Sequence, residues 1–284
     1  MNGTEEDEMF FRYLLTNPRI IIGLVFLAGL CSLAVFAPYI TRFDPTRISP
    51  KDALKPPNPL HWFGTDNMGR DVYSRVIYGT RYSLTLGLLA TVVSAFFGLS
   101  LGLFAGYAGG VLDMLIMRLV DVGLAFPSIL LALLIIAVLG PGLPTLALAI
   151  GVSSIPPFVR LVRASVLYVK EMPFVEAARA IGASDGRIMF RHILPEVFAP
   201  ALTMGTLRLA NAIFVASSLS FVGLGARPPI PEWGAMVSMA RHQLRIAWWV
   251  STFPGLAIFF TVLAINLLGD GLRDALDPKL RGKL

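Results

Sequence analysis

Few residues in this chain are spaced for chemistry, and those few point away from bond-making. Histidine occurs at His61, His192 and His242, and no H-E-x-x-H pair sets two imidazoles on one helix face for zinc. Cys31 is the single cysteine, so neither a thiolate pair for a metal nor an internal disulfide can form. The run Asp270-Gly271-Leu272-Arg273-Asp274-Ala275-Leu276-Asp277 has the look of an acidic metal motif, yet no second acidic cluster aligns with it. Nor is there a G-x-x-x-x-G-K-[ST] loop to cradle nucleotide phosphates; the one Gly-Lys pair is Gly282-Lys283. The chain is not expected to be an enzyme, and no cofactor or metal is expected in it.

The most informative stretch, residues 170–195, is suited to transmitting force. Pro173 can start a helix, Glu176 to Ile181 are mostly good helix formers, and Gly182 can end it. Ser184 or Asp185 can cap a second short helix running to Pro195. Ala177, Ala178 and Ala180 present little bulk, so the pair forms a compact knob that can seat in a partner's groove and pass on a push. Read from the residues alone, Glu176 is better taken as a solvated helix carboxylate.

The elements that position this knob must be membrane helices. In 284 residues, 55% are hydrophobic and 15% charged, with a mean hydropathy of +0.70. A water-soluble globule carries about 25% charged residues, so this chain cannot cover itself with polar surface. The net charge of +6 and pI near 9.7 suit anionic lipid and a charged partner rather than nucleic acid.

An apolar stretch of about 20 residues crosses the hydrocarbon core as a helix. Ile20–Thr41 and Tyr82–Leu112 are uncharged runs, and Val122–Val159 is another, cut by Gly140-Pro141-Gly142-Leu143-Pro144 into two spans with a tight reversal. Val197–Ala226, with Arg208 its one charge, and Ile246–Gly269 complete six helices. The fold class is all-α, a polytopic membrane protein with both ends on one side. Residues 1–19 form an N-terminal tail, 20–41 the first span, 42–81 an outer loop with an interfacial helix, 82–269 the core with five spans, and 270–284 a C-terminal tail. Glu5, Glu6, Asp7 and Glu8 argue against a cleaved signal peptide, which needs a basic leader. With the termini inside, Lys plus Arg count 13 inside against 10 outside, a lean in the direction of the positive-inside rule.

Several other features carry expectations. Ala90, Ser94, Gly98, Gly102, Gly106 and Gly110 place a small residue at every fourth position of the second span, a groove for close helix packing within the chain or a seam that moves. Residues 66–79 read as an interfacial helix, with Met68, Val72, Tyr73, Val76 and Ile77 on its apolar face and Arg70, Asp71, Ser74 and Arg75 on its polar face. Asp121, Arg208 and Asn211 are polar groups within spans. Charge in lipid is costly, so they line a pathway, or Asp121 pairs with Arg118 or Arg208 to fix packing. Asp270 is expected to mark the end of the last span. Trp233, after Pro228-Pro229-Ile230-Pro231, is an interfacial anchor or part of a docking surface.

Glu176-Ala177-Ala178, three residues, Gly182, then Leu194-Pro195 resembles the EAA loop of ABC importer permeases. The motif's isoleucine falls one place late, at Ile193, with His192 in its slot; the oligopeptide-type members share this His-Ile-Leu-Pro form. Gly64-Thr65-Asp66, Gly69-Arg70-Asp71, Gly106-Tyr107, Asp121 with Pro127, Pro231-Glu232-Trp233-Gly234 and Gly269-Asp270-Gly271-Leu272-Arg273-Asp274 extend the resemblance from about residue 10 to the end. It is to the C-type permease subunit of dipeptide, oligopeptide, glutathione and nickel importers. The resemblance implies the type I importer permease fold in a bacterial inner membrane, with both termini cytoplasmic. It also implies a second permease subunit, two ATPase subunits that bind ATP and Mg, and an extracytoplasmic solute-binding protein. Glu176, Ala177, Ala178, Gly182, Leu194 and Pro195 would then couple this chain to the ATPases during alternating access. An ion-coupled secondary transporter or channel is the competing class; it would show an inverted repeat and paired broken helices, and no convincing repeat is present.

Overall fold

The computed structural model describes residues 16–276, which are helical apart from connecting loops and one isolated bridge between Thr65 and Asp71. The acidic leader Glu5–Glu8, Asp277 and the basic tail with Gly282-Lys283 lie outside the described residues. Helix α1 spans Pro18–Ile40; Asn17 caps it by accepting the Arg19 N–H at 2.9 Å, with Pro18 in the first turn. Helix α2 runs unbroken over Val72–Ala108, and α3 (Gly110–Ala125) and α4 (Ser128–Leu139) follow it. After the reversal at 140–142 come α5 (Leu143–Ser153) and α6 (Ile155–Lys170), which together make one span. The short α7 (Pro173–Ala180) precedes the long α8 (Leu194–Phe221), then α9 (Trp233–Ala240) and α10 (Trp249–Leu276).

Among the described residues five helical stretches are long and apolar enough to cross a membrane, and a bent pair, α3 and α4, which meet at 92°, brings the number to six if the pair counts as one span. The sequence shows the reversal at 140–144 but not this bend. Its cause is Pro127, which cannot donate a backbone hydrogen bond and forces Phe126 into an extended conformation. Asp270 does not end the last helix. The helix continues past it to Leu276, where Asp274 pairs with Arg19 at 3.2 Å and sets the start of α1 beside the end of α10.

The small residues of α2 pack within the chain. A Cβ on Gly98, Gly102 or Gly106 would lie 2.6–2.8 Å from Phe158, Val162 and Val166 of α6, so α6 rests almost against the α2 backbone. Gly110 leaves this stripe, since it opens α3 with φ +56° and faces open space. The same face of α2 holds α6 in a core with Leu103, Val169 and Val197. A second core joins α2, α4, α5 and α8 through Leu86, Ile136, Leu146, Ile150 and Leu219.

The largest departure from the sequence reading concerns residues 66–79. No separate interfacial helix forms; Asp71 caps α2, accepting the Ser74 N–H and hydroxyl at 2.7 Å each, and the helix proceeds directly into the membrane span. The supposed polar face is buried as well as the apolar one, with Arg70 and Arg75 each 1% exposed. Arg70 Nε donates to Asp66 at 2.7 Å, His61 Nδ1 donates to Asp71 at 2.9 Å, and Arg75 donates to the carbonyls of Pro45 and Pro229 at 2.9 and 3.4 Å. The loop 41–71 folds over these groups and forms a platform with α9 and the start of α10. Periodicity identified the two faces but could not reveal that later segments would cover the charged one.

Trp233 is likewise no interfacial anchor. It is fully buried, donating Nε1–H to the Val76 carbonyl at 2.9 Å, while Trp249 donates to the Thr65 carbonyl at 3.1 Å. Glu232, also buried, caps α9 by accepting the Gly234 and Ala235 N–H groups at 2.8 Å each. Burial pushes its carboxyl above the ordinary 4.5, against the pull of these donors.

Gly102→Ala is expected to destabilise the helix pair by about 1–3 kcal/mol through overpacking. Gly29→Ala, where the added methyl meets nothing within 4 Å, should leave thermal unfolding in detergent unchanged. Glu232 gives a pH dependence of defined sign. Its folded value lies above the unfolded 4.5, so its contribution is full below that value and declines as pH rises through the raised folded one. Glu232→Gln should flatten that slope in unfolding midpoints taken from about pH 4 to pH 8.

Candidate functional site: the surface knob and the polar residues of the spans

The knob at residues 171–193 forms because each local signal agrees with the next. Pro173 occupies the first turn of α7, Glu176 sits near its positive end and Arg179 near its negative end. Gly182, at φ +82°, closes the helix with the Gly182 N–H on the Arg179 carbonyl and the Ala183 N–H on the Ala178 carbonyl, both at 3.0 Å. This is a Schellman cap, in which a left-handed residue turns the chain away from the axis. A Cβ on Gly182 would meet nothing within 4 Å, so its requirement is backbone conformation and not space.

The expected second short helix does not stand alone. A helical turn at Asp185–Arg187 passes through a π-helical segment, Ile188–Ile193, and continues into α8 as one membrane-length stretch. The widened segment lies just before Pro195, whose ring would crowd the Arg191 carbonyl in a regular α-helix. Pro195 is thus exposed at the start of α8, and Leu194 is half-buried against the core. The knob and a transmembrane helix are mechanically continuous.

Ala178 points inward. With Val175 it is buried in the core formed by α2, α6 and α8, together with Ile188, Met189 and Ile193. Glu176 and Ala177 are exposed, beside the bare apolar side chains of Phe174 (43% exposed), Ile181 (87%) and Phe190 (54%). These three were not singled out from the sequence; Phe174 lies on α7, whereas Ile181 and Phe190 come after it. Polar clasps fix the knob to the spans: the Tyr107 hydroxyl donates to Asp185 at 2.6 Å, and Lys170 Nζ donates to the Tyr107 carbonyl at 2.9 Å.

The intramembrane polar residues are not brought together. Asp121 pairs with Arg160 at 2.6 Å, and not with Arg118 or Arg208. A second pair, which sequence spacing did not suggest, joins Asp113 to both Nε and Nη2 of Arg163 at 2.5 and 2.6 Å. Both pairs tie α3 to α6. Arg208 is half-buried and Asn211 exposed, and neither side chain has a hydrogen-bond partner among the described residues. Met204, Arg208, Asn211 and Val215 lie on one stripe of α8, spaced i, i+4, i+7 and i+11. No group of His, Cys, Asp or Glu among the described residues could hold a metal ion.

Residues 98–282 match the model of the binding-protein-dependent transport system inner membrane component family. This chain belongs to that family. Residues 8–57 also match the N-terminal transmembrane domain of oligopeptide transport permease C. Over 271 residues the chain is 46% identical to the dipeptide transport system permease protein DppC of Alkalihalophilus pseudofirmus, covering 95% of this chain and 89% of the relative. It is also 46% identical over 275 residues to the glutathione transport system permease protein GsiD of Pectobacterium atrosepticum, covering 96% and 91%. The fold is similar to that of a permease chain in the inward-facing MetNI methionine ABC transporter, with a TM-score of 0.51, 22% identity, and 68% of this chain and 94% of that one covered. An amino acid ABC transporter gives a TM-score of 0.55 at 16% identity, covering 70% and 92%.

The chain is therefore a multi-pass inner-membrane permease subunit of an ABC importer, not an enzyme and not an ion-coupled transporter. Members of this permease family work with further permease, ATPase and binding-protein components in general. As a test of the knob's construction, Gly182→Ala, forced to φ +82°, should cost about 1–2 kcal/mol. It should speed hydrogen exchange across residues 173–195, whereas Gly186→Ala, in open space with ordinary φ, should not.

Proposed function

We propose that this permease forms half of the translocation pathway for a peptide-like solute, and that the knob at 171–193 receives the stroke of partner ATPases. The observation that carries this reading is the knob's two-sidedness. Val175 and Ala178 lock it into the α2–α6–α8 core, while Phe174, Ile181 and Phe190 leave an apolar surface around Glu176 and Ala177. An apolar surface at the end of a membrane bundle, ringed by Glu176, Arg179 and Arg187, suits a protein partner and a charge-assisted contact.

Within this reading Glu176 and Ala177 touch the ATPase, Ala178 and Gly182 hold the knob rigid, and Leu194-Pro195 passes its displacement to α8. The partners are a second permease subunit, two ABC ATPases that bind ATP and Mg, and an extracytoplasmic binding protein. Dipeptide and glutathione relatives at 46% identity support a peptide-like solute. Arg208 and Asn211, unpartnered on one stripe of α8, line the pathway, and Asp121 serves packing through Arg160. Both termini and the knob face the cytoplasm, the side where ATP is available.

The test is to purify the chain with its co-expressed partners and measure ATPase recovery and solute-stimulated ATP hydrolysis. Glu176→Ala should lower stimulated hydrolysis and uptake about ten-fold, the loss of one charge-assisted contact and its neighbours' order, with unfolding unchanged. Ala177→Trp should abolish ATPase recovery. Full recovery and uptake in both variants would overturn the assignment of the knob.

A further inference from the structure

We infer that this permease carries a built site for one phospholipid molecule, between α2 and the start of α5, with Arg81 and Tyr82 at its polar end. The argument begins at Pro38 of α1. A proline has no N–H for the carbonyl four residues earlier, so Ala34 is left with an unsatisfied oxygen inside an apolar helix. Arg81 supplies the missing donor: Nε bonds the Ala34 carbonyl and Nη2 the Val35 carbonyl at 2.9 Å. That fixes the guanidinium between α1 and α2, 5.6 Å over the Tyr78 ring, and leaves Nη1 without a hydrogen-bond partner among the described residues. The adjacent Tyr82 hydroxyl has none either, and its side chain is 36% exposed.

Below these two donors lies an open groove of about 330 Å³. Leu86 and Leu89 of α2 form one wall, and Leu143, Pro144 and Ala147 of α5 form the other. From Tyr82 to Leu89 the groove follows the helix for about 10 Å, which accommodates the upper part of an acyl chain. Arg81 is also the last charge before the uncharged run of the second span, so the donors stand at the level where headgroup phosphates lie. A fixed cation and a phenol at the head of a hydrocarbon groove have the polarity of a phospholipid. Charge complementarity selects phosphate over an amine headgroup, and the apolar walls select lipid over free phosphate. Such a lipid would bridge α1, α2 and the α4–α5 reversal.

The test uses the full chain in its purified assembly, stripped in a neutral maltoside and offered phosphatidylglycerol with a photoreactive acyl chain. Cross-links are expected at residues 85–89 and 143–147, competed by unlabelled phosphatidylglycerol but not by diacylglycerol or inorganic phosphate. Arg81→Gln should weaken labelling about ten-fold, the loss of a charge-assisted contact. Because Arg81 also secures α1, a second variant is needed: Thr85→Trp fills the groove from its rim and leaves Arg81 intact, and should likewise remove the label. Uniform labelling around the helical belt, competition by inorganic phosphate, or unchanged labelling in Thr85→Trp would overturn the site. So would disulfide trapping of a partner permease helix at Thr85→Cys, which would make the groove a subunit seam.

Discussion

The architecture depends on how closely α6 approaches α2. At Gly98, Gly102 and Gly106 there is no room for even a methyl group between the α2 backbone and Phe158, Val162 and Val166. In a membrane no hydrophobic effect drives helices together, so dispersion at such close range must do it. From this contact the knob takes its position. The end of α6 brings Lys170 to Tyr107, Tyr107 reaches Asp185, and Val169 continues the core into Val175 and Ala178 of α7. The knob is therefore referenced to the close packing of α6 on α2.

A second constraint is that polar groups removed from water must find partners. The molecule meets it locally at nearly every break in its helices. Arg81 satisfies the carbonyl that Pro38 frees, and the Gly182 cap satisfies those at the end of α7. Asp113 and Asp121 each face an arginine of α6. The platform formed by 41–71 and α9 is the largest instance, with Asp66, Arg70 and Asp71 buried and paired beneath it, while the buried Arg75 bonds two carbonyls through Nη1 and keeps Nη2 without a partner among the described residues. Removing one member of such a cluster leaves a buried charge unpaired, which costs more than the pair itself contributes. Arg208, half-buried on α8 with no hydrogen-bond partner among the described residues, departs from this pattern.

Rigidity and mobility are thus divided along the chain. The α2–α6 contact and the platform are densely packed. The α3–α4 bend, by contrast, contributes only Val120 from α3 to the buried interior. The two ion pairs to α6 hold α3 where packing does not. Alternating access requires some spans to move against others, and an element held by one exposed and one partly buried ion pair yields more readily than one held by interlocked backbones.

Composition, span count, the reversal at 140–144 and the knob's start and stop at Pro173 and Gly182 were all determined by the sequence itself, because each rests on local physics: hydropathy, a ring without an N–H, a residue free to take positive φ. The EAA resemblance identified the family for the same reason, since its spacing is short-range. What only the tertiary structure decided was which neighbour each face meets. The glycine stripe could equally have served another subunit, yet it holds α6. The polar face at 70–75 belonged to water by periodicity, yet residues from 41 to 65 and 229 to 250 cover it. Asp121 chose Arg160, 39 residues away, over Arg118 on its own helix. Ala178 turned to the core while Ala177 beside it stayed outside. A one-dimensional pattern specifies that a face is special; the partner on that face is set by long-range packing, in which segments far apart in sequence compete for the same surface.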